Sequence, residues 1–324
     1  MMSVVSHSSV HYPVMLPEVL EALAPCDGEV YVDGTFGAGG YSKDFLEKAD
    51  CHVYAIDRDF SAHAHCAALQ EDYGGRLTFL HGCFGDVAEL LEEEGVSGVD
   101  GFVLDLGVSS MQLDEADRGF SFRFDGPLDM RMDTSSDGQT AADIVNSYDE
   151  GDLADLIYRY GEERHSRRVA RRIVERRKEE RFERTLDLAD VVRSAVPKSP
   201  RDQSDQATRT FQALRIAVND ELGEVERALG AAAQILRPGG RLVVVSFHSL
   251  EDRLVKTYLR AHSGQKASAS RHMPEQVGHD DVALFEMLSR KAVKPSAAEI
   301  AENSRSRSAR LRAAVRLSQD GGVG

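Results

Sequence analysis

Residues 32–40, with the sequence Val-Asp-Gly-Thr-Phe-Gly-Ala-Gly-Gly, constrain the fold of this 324-residue chain more than any other stretch. They follow a short apolar strand signal, and a helix-like run begins at Tyr41. Glycines between a strand and a helix let the backbone turn sharply and approach a ligand closely. The helix N-terminus that follows offers free N–H groups to an anion. This segment therefore predicts an open α/β sheet that receives a nucleotide-like ligand.

Strand and helix patterns alternate through the first third of the chain. Strands are predicted at residues 30–33, 53–57, 77–81 and 101–106. The segments between them are long enough for crossover helices, which connect parallel strands with a right-handed turn. Later strands are predicted at residues 241–247, 283–293 and 311–317, with a loop at 264–281. The expected fold class is α/β, with a Rossmann-like sheet domain.

The gap between the predicted fourth and fifth strands far exceeds what one crossover needs. Much of it, residues 141–196, is helical in pattern. We therefore predict an inserted helical substrate-recognition domain at 114–206, within a sheet domain formed by 1–113 and 207–324. After it, apolar residues at helical spacing predict one helix that packs on the sheet. They are Phe211, Leu214, Val218, Leu222, Val225 and Leu229.

Charge is unevenly distributed along the chain. The net charge is −15, yet residues 164–184 hold ten Lys and Arg against four Glu. One interpretation is a solvated helix face with charge pairs along it. The other is a surface that binds a polyanion, and the excess of Arg in an acidic protein favours it.

The sequence has no apolar run long enough for a membrane span and no signal-peptide pattern at its start. We therefore expect a cytoplasmic protein that does not bind membranes. Its four cysteines are scattered without the spacing of metal ligands, so reduced thiols and no catalytic metal are expected.

Two cofactor classes fit the glycine segment. A dinucleotide fingerprint would have Gly or Ala where Ser42 stands. An adenosylmethionine motif of the form D-x-G-x-G-x-G fits better, with Asp33 first and Thr35 in place of the first glycine. In either case Asp57 would accept hydrogen bonds from ribose hydroxyls. Asp105 and His248 follow two further strands, so these polar groups should meet at one edge of the sheet.

Eight longer motifs resemble those of one family, the bacterial small-subunit ribosomal RNA cytosine-N4 methyltransferases. The motifs lie at residues 11–15, 33–40, 105–110, 118–122, 126–133, 160–164, 207–215 and 246–253. The resemblance covers nearly the whole chain, and these motifs are far more specific than a glycine loop alone.

The resemblance implies S-adenosylmethionine as cofactor and a class I methyltransferase sheet domain. The implied substrate is the exocyclic amine of one cytosine in the decoding centre of 16S rRNA, within the small ribosomal subunit. The implied cofactor contacts are Gly39, Gly40, Tyr41, Asp57, Phe84, Asp105 and Gln112. From the basic segments we expect phosphate contacts from Arg167, Arg171, Arg209 and Arg215. The oligomeric state, monomer or homodimer, stays open.

The chain departs from the family pattern at three places. Tyr41 stands where the family commonly has His, which is harmless if the contact uses the backbone. Asp205-Gln206 replaces a usual His-Pro before the helix at 207, which puts any role of that His in doubt. Asn303-Ser304-Arg305 replaces Asn-Pro-Arg near the C-terminus.

Asp105 and His248 are the candidate catalytic residues. Cytosine N4 is a weak nucleophile, so an acceptor that holds one N–H can turn the nitrogen toward the methyl group. Asp105 could do so, and His248 could accept the proton or instead only fix the turn after the strand. Carbon-5 methylation would need a later cysteine nucleophile and is rejected, because every cysteine precedes residue 84.

Phenylalanines are frequent in residues 119–133, namely Phe120, Phe122 and Phe124. The loop could cover or stack on the target base, or it could simply pack its own side chains. Two other function classes compete with the methyltransferase. A nicotinamide-dependent oxidoreductase is disfavoured by the glycine spacing and the basic insert. A non-catalytic RNA-binding assembly factor is disfavoured by the intact strand-end carboxylates.

Overall fold

The computed structural model describes residues 13–135, 137–198, 204–264 and 283–318. The chain folds into two compact units. The sheet unit comprises Met1–Asp57, Ser61–Leu106 and Val225–Gly324, and the helical unit comprises Arg58–Phe60 and Gly107–Glu224. Across the described ranges, no helix has both the length and the apolar character needed to cross a bilayer.

The sheet unit is built on one seven-stranded sheet within the described residues. Its strands are β1 (Val30–Asp33), β2 (His52–Asp57), β3 (Leu77–His81), β4 (Val99–Asp105), β5 (Leu236–Ser246), β6 (Phe285–Met287) and β7 (Arg310–Arg316). The spatial order is β3-β2-β1-β4-β5-β7-β6, with β1 to β5 parallel and β7 antiparallel to both neighbours. The chain switches direction across the sheet between β1 and β4, where such folds bind ligands.

Helices follow most of the strands and make up the helical unit. They are α1 (Leu16–Leu23), α2 (Gly40–Lys48), α3 (Ala62–Tyr73), α4 (Val87–Glu93), α5 (Ser110–Asp114), α6 (Ala141–Ser147), α7 (Glu150–Gly161), α8 (Ser166–Arg176), α9 (Thr185–Ala195), α10 (Thr208–Asn219), α11 (Glu221–Ile235), α12 (Ser249–Ala261) and α13 (Ala297–Glu302). The predicted α/β fold class is confirmed.

Both faces of the sheet are buried, because the central strands carry apolar side chains on each side. In β4, Phe102 and Leu104 join a core with residues of α4, α11 and α12. Val103, between them, faces the opposite core with residues of α1, α2 and α3. Side chains alternate along a strand, so the register of each strand decides which core a residue enters.

The helical unit has its own core. Val169, Ala170 and Ile173 of α8 are buried in it, while the arginines of this helix lie on the other faces. Gly161 lets α7 approach α10 closely, because a Cβ there would lie 2.4 Å from the carbonyl oxygen of Arg209. The basic run is therefore an amphipathic helix with a genuine core face.

The domain boundaries differ from those that we predicted at 114 and 206. The helical unit starts at Gly107 and continues to Glu224. The predicted single helix after residue 207 is two helices, since Asp220 adopts a left-handed conformation with φ 49° between α10 and α11. Phe211 and Leu214 consequently join the helical core, whereas Val225 and Leu229 join the sheet core.

The last strands also differ from the prediction. β5 begins at Leu236, and Pro238-Gly239-Gly240 forms an irregularity inside it. The strand predicted at 283–293 is shortened to β6, with an isolated bridge from Val293 to Leu311. The loop predicted at 264–281 lies outside the described residues, apart from Gly264.

Asn219 fastens the end of α10 to the preceding loop of the helical unit. Its Oδ1 accepts the N–H of Met132 at 2.8 Å, and its Nδ2 donates to the Met130 carbonyl at 2.8 Å. Its own carbonyl accepts from the Arg58 guanidinium at 2.8 Å. The Asn219 side chain is buried, so its amide forms the hydrogen bonds that water would otherwise form with the backbone groups of Met130 and Met132.

We expect Asn219→Ala to lower the free energy of unfolding by about 2–3 kcal/mol, because it leaves buried backbone groups without partners. Urea unfolding followed by circular dichroism measures the change. Gln234→Ala, at an exposed position of α11, is the control and should change stability by less than about 0.5 kcal/mol. Equal effects for the two variants would contradict this role of Asn219.

Candidate active site

Three aspartates stand at the carboxyl ends of neighbouring strands in the sheet unit. Asp33 pairs in register with Ala55 of β2 and Val103 of β4. Asp57 and Asp105 each lie two residues beyond these partners. All three side chains therefore share one face of the sheet, at its carboxyl edge.

Asp33 is fully buried at the end of β1. The Ser42 hydroxyl donates to its Oδ2 at 2.7 Å, and the Thr35 N–H donates to its Oδ1 at 3.3 Å. Burial nevertheless raises the pKa of Asp33 to about 6, and the nearby Asp57 adds to the rise. Its protonated form therefore stabilises the fold below about pH 4, and this contribution is lost as the pH rises through about 6.

Asp105 is the most constrained of the three. Its N–H donates to the Thr35 hydroxyl at 2.6 Å, which ties β4 to the glycine loop. Its Oδ1 is buried and has no hydrogen-bond partner among the described residues. Burial, followed by the charge of Asp33, raises the pKa of Asp105 well above its usual range. Such an arrangement is complementary to a cationic donor group, which would satisfy the oxygen and favour the ionised carboxyl.

The glycine loop is organised by Asp57, whose Oδ2 accepts the Gly37 N–H at 2.7 Å. Gly39 precedes α2 with φ 79°, a conformation that favours glycine. A Cβ on Gly40 would lie 2.4 Å from Pro13 Cγ, so this backbone is packed closely from one side. The predicted strand–glycine loop–helix geometry is thus present.

Two aromatic residues from the predicted cofactor set lie near this loop. Tyr41 is buried, stacks on Phe45 with ring centroids 6.3 Å apart, and donates its hydroxyl to the Val14 carbonyl. Its side chain therefore serves packing, which leaves its backbone for a ligand contact. Phe84 follows β3, and its Cβ would lie 3.2 Å from a Cβ on Gly34.

His248 begins α12 as its N-cap. Its Nδ1 accepts the Glu251 N–H at 3.4 Å, and Glu251 Oε2 accepts the His248 N–H at 3.1 Å. The second ring nitrogen, Nε2, lies 3.1 Å from Glu251 Oε1. His248 and Glu251 therefore form the capping box of α12. These contacts match the turn-fixing alternative for His248.

Gln112, the remaining predicted cofactor contact, belongs to the helical unit. Its Oε1 accepts the Ser109 N–H at 3.1 Å, and its Nε2 donates to Asp59 Oδ2 at 3.0 Å. Arg118 donates to the same Asp59 oxygen at 2.7 Å. Arg118 lies in one of the family motifs. Asp59 was not predicted, because no local sequence pattern links it to Gln112 and Arg118, which lie more than fifty positions later.

The four predicted phosphate contacts all lie in the helical unit, with unequal access. The side chains of Arg167, Arg171 and Arg209 are 75%, 61% and 54% exposed. Arg215 differs, because it donates to both Glu221 oxygens at 2.7 and 2.8 Å and is only 16% exposed. This two-point ion pair gives Arg215 a structural role in joining α10 to α11.

The phenylalanine-rich loop is largely packed within the helical unit. Phe120 is buried, and Phe122 meets Phe211 edge to face with centroids 4.9 Å apart. The Thr185 N–H donates to the Gly126 carbonyl at 2.9 Å, and the Gly126 N–H donates to the Thr185 hydroxyl at 3.0 Å, which holds the loop in place. Only Phe124 of the three is largely exposed, at 60%. The packing alternative therefore accounts for two of the three rings.

The doubly wound sheet, the glycine loop at β1 and the strand-end carboxylates define a Rossmann-like class I methyltransferase. The chain belongs to the MraW methylase family, whose model matches residues 8–317. The family resemblance seen in the motifs is thereby confirmed, and the protein is an S-adenosylmethionine-dependent methyltransferase.

Relatives of similar length share more than half of the aligned residues. A protein of Rhodospirillum rubrum is 61% identical over 309 residues, which cover 94% of each chain. One of Paramagnetospirillum magneticum is 58% identical over 306 residues, covering 94% of this chain and 95% of the relative. One of Rhodospirillum centenum is 59% identical over 310 residues, covering 96% and 93%. Each is named ribosomal RNA small subunit methyltransferase H.

We expect the affinity for S-adenosylmethionine to fall as the pH drops below about 6. Protonation of Asp33, whose pKa is about 6, removes negative charge that favours a cationic ligand, by up to about tenfold per pH unit. Calorimetric titration between about pH 5 and 8 measures the profile. Asp33→Asn should flatten it, while Asp86→Asn, at a more exposed carboxyl, should preserve it. An unchanged profile in Asp33→Asn would assign the dependence to another group.

Proposed function

We propose that the protein methylates the N4 amine of one cytosine in the decoding centre of 16S rRNA. The observation that carries this proposal is the likeness to ribosomal RNA small subunit methyltransferases over 94% of the chain. A match of that extent includes both the sheet unit and the helical unit. This extent supports the proposal that substrate recognition, and not only cofactor binding, is common to the chain and these relatives.

In this proposal the two units divide the work. The sheet unit carries methyl transfer, and the helical unit, of which we predicted residues 114–206, recognises RNA. The partner is the small ribosomal subunit or its rRNA, and the place of action is the cytoplasm. The acidic net charge of −15 is compatible with this, because the basic residues are concentrated in one segment.

The residues of the glycine loop suit the cofactor. Backbone groups of Gly39, Gly40 and Tyr41 would line it, Asp57 would accept the ribose hydroxyls, and Asp105 would receive the donor's amino-acid end. Phe84 and Gln112 complete the proposed set. When bound, S-adenosylmethionine supplies an electrophilic methyl group on a positively charged sulfur. The orphaned oxygen of Asp105 supports this fit.

The enzyme's main task is to align donor and acceptor, since alignment supplies much of the rate in a displacement. In the proposed mechanism Asp105 also accepts one N–H of the cytosine amine, which turns the nitrogen lone pair toward the methyl group. His248 then accepts the proton that the amine releases, at Nδ1 in place of the Glu251 N–H, because Nε2 carries the ring proton when Nδ1 accepts that bond. His248 is also the N-cap of α12, and substitutions can separate this structural role from a role in catalysis.

The target cytosine must leave its stack to reach the methyl group. Exposed guanidinium groups in the helical unit, those of Arg167, Arg171 and Arg209, would hold phosphates of the RNA. Arg215 takes no part in this, because its donors already serve Glu221.

The first test is methyl transfer from labelled S-adenosylmethionine to undermethylated small subunits, followed by nucleoside analysis of the rRNA. We expect label in N4-methylcytidine at a single position. Asp105→Asn should lower turnover by about 10²-fold or more, because it removes an acceptor and a charge. Cofactor binding without any transfer to subunits or free rRNA would contradict the proposal and favour the assembly-factor alternative.

His248→Asn tests the proton-accepting role. Asparagine is a good N-cap, so it keeps the start of α12 while removing the imidazole. We expect His248→Asn to lower kcat by about 10²-fold or more with unchanged thermal stability and cofactor affinity. His248→Ala should lose both activity and about 1 kcal/mol of stability. Full turnover in His248→Asn would leave capping as the role of this residue.

A further inference from the structure

A pocket of about 500 Å³ lies within the helical unit, at the start of α8. Asp155 and Tyr158 of α7 form one side, and residues 164–168 with Arg171 form the other. Its volume falls in the range of about 300–1,000 Å³ that is typical of small-ligand pockets. Arg167 and Arg171 of this lining are among the proposed phosphate contacts, whereas the other lining residues have no role in the proposed methyl transfer.

The pocket is strongly cationic. Four arginines line it, and one carboxylate, that of Asp155, faces them. Asp155 lies 3.3 Å from Arg167, and both side chains are about three-quarters exposed. In the described part of the chain, no carboxylate oxygen lies within 4.0 Å of Arg164 or Arg168. An excess of positive charge thus remains for an anionic ligand.

The positive charge of the pocket comes from side chains, and the N-terminus of α8 contributes little to it. The Glu163 carboxylate accepts the His165 N–H at 2.7 Å, and the His165 carbonyl accepts the N–H groups of Arg168 and Val169. Most backbone donors here are therefore occupied. A ligand would meet guanidinium groups, which form paired hydrogen bonds to phosphate oxygens.

Tyr158 adds an aromatic surface to this cationic pocket. Tyr158 is 63% exposed, which is the highest exposed fraction of any large hydrophobic residue in the described part of the chain. The neighbouring Tyr160 is covered by the Arg159 guanidinium, 5.3 Å from its ring centroid. An exposed aromatic ring beside arginines is the combination that binds unstacked bases of single-stranded nucleic acid.

We propose that this pocket holds one unstacked nucleotide of the substrate RNA, distinct from the target cytosine. Its base stacks on Tyr158, and its phosphate binds Arg164 and Arg168. The inference rests on the proposed RNA substrate and identifies where the helical unit recognises single-stranded RNA. We assign the pocket to a second nucleotide because none of its lining residues belongs to the proposed catalytic or cofactor-binding set.

The test measures binding of the full-length protein to a fluorescein-labelled single-stranded decaribonucleotide by anisotropy, at several salt concentrations. We expect Tyr158→Leu to weaken binding about tenfold, while Tyr158→Phe, which keeps the ring, stays within about twofold. Arg168→Ala should weaken binding and reduce the slope of log affinity against log salt by about 0.7. Arg159→Ala, the same charge loss on α7 outside the pocket lining, should change the slope less.

Wild-type binding by Tyr158→Leu would overturn the proposal, because the arginines would then act only as a diffuse charged surface. The proposal would also fail if all variants bound the oligonucleotide normally but bound intact subunits weakly, since that pattern indicates a protein partner. The oligonucleotide assay involves no methyl transfer. If the wild-type protein methylates no rRNA while these variants behave as expected, the proposed reaction fails and the RNA pocket stands.

Discussion

The register of β1 between β2 and β4 is the constraint on which the sheet unit depends. It sets Asp33 level with Ala55 and Val103, so that Asp57 and Asp105 project just beyond it on the same face. A slip by one residue would turn every side chain of a strand to the other face. The register is secured because both faces are apolar and covered by helices, so a slip would also bury the wrong side chains in each core.

Burial of carboxyl groups at this site lowers the stability of the ligand-free protein. Asp33 is fully buried and Asp105 is partly buried, and both have raised pKa values because burial disfavours their charged forms. A well-packed sheet can tolerate this cost, since apolar strands on both sides supply the stability. Active sites commonly concentrate such unfavourable groups, because they bind best to a ligand of opposite charge. In the proposed cofactor site, a cationic donor would favour the ionised forms of these carboxyls.

Sequence reasoning predicted the strands β1 and β3 to the residue, because apolar runs with glycine or polar ends are local signals. It missed the break between α10 and α11, where Asp220 interrupts a continuous apolar stripe without a glycine or proline. It expected Arg215 to bind phosphate, although Glu221 lies six residues away and becomes its partner only through that break. These errors of prediction all concern contacts that are determined by tertiary structure.

Arg58–Phe60 belongs to the helical unit although it directly follows β2 in the sequence. Arg58 binds the end of α10, and Asp59 binds Gln112 and Arg118, so these residues complete contacts of a module that otherwise starts at Gly107. The module is therefore discontinuous in the gene. Recombination that exchanged only codons 107–224 between two such enzymes would leave this tripeptide behind. Chimeras that retain function should be those in which the tripeptide and the larger segment share one parent.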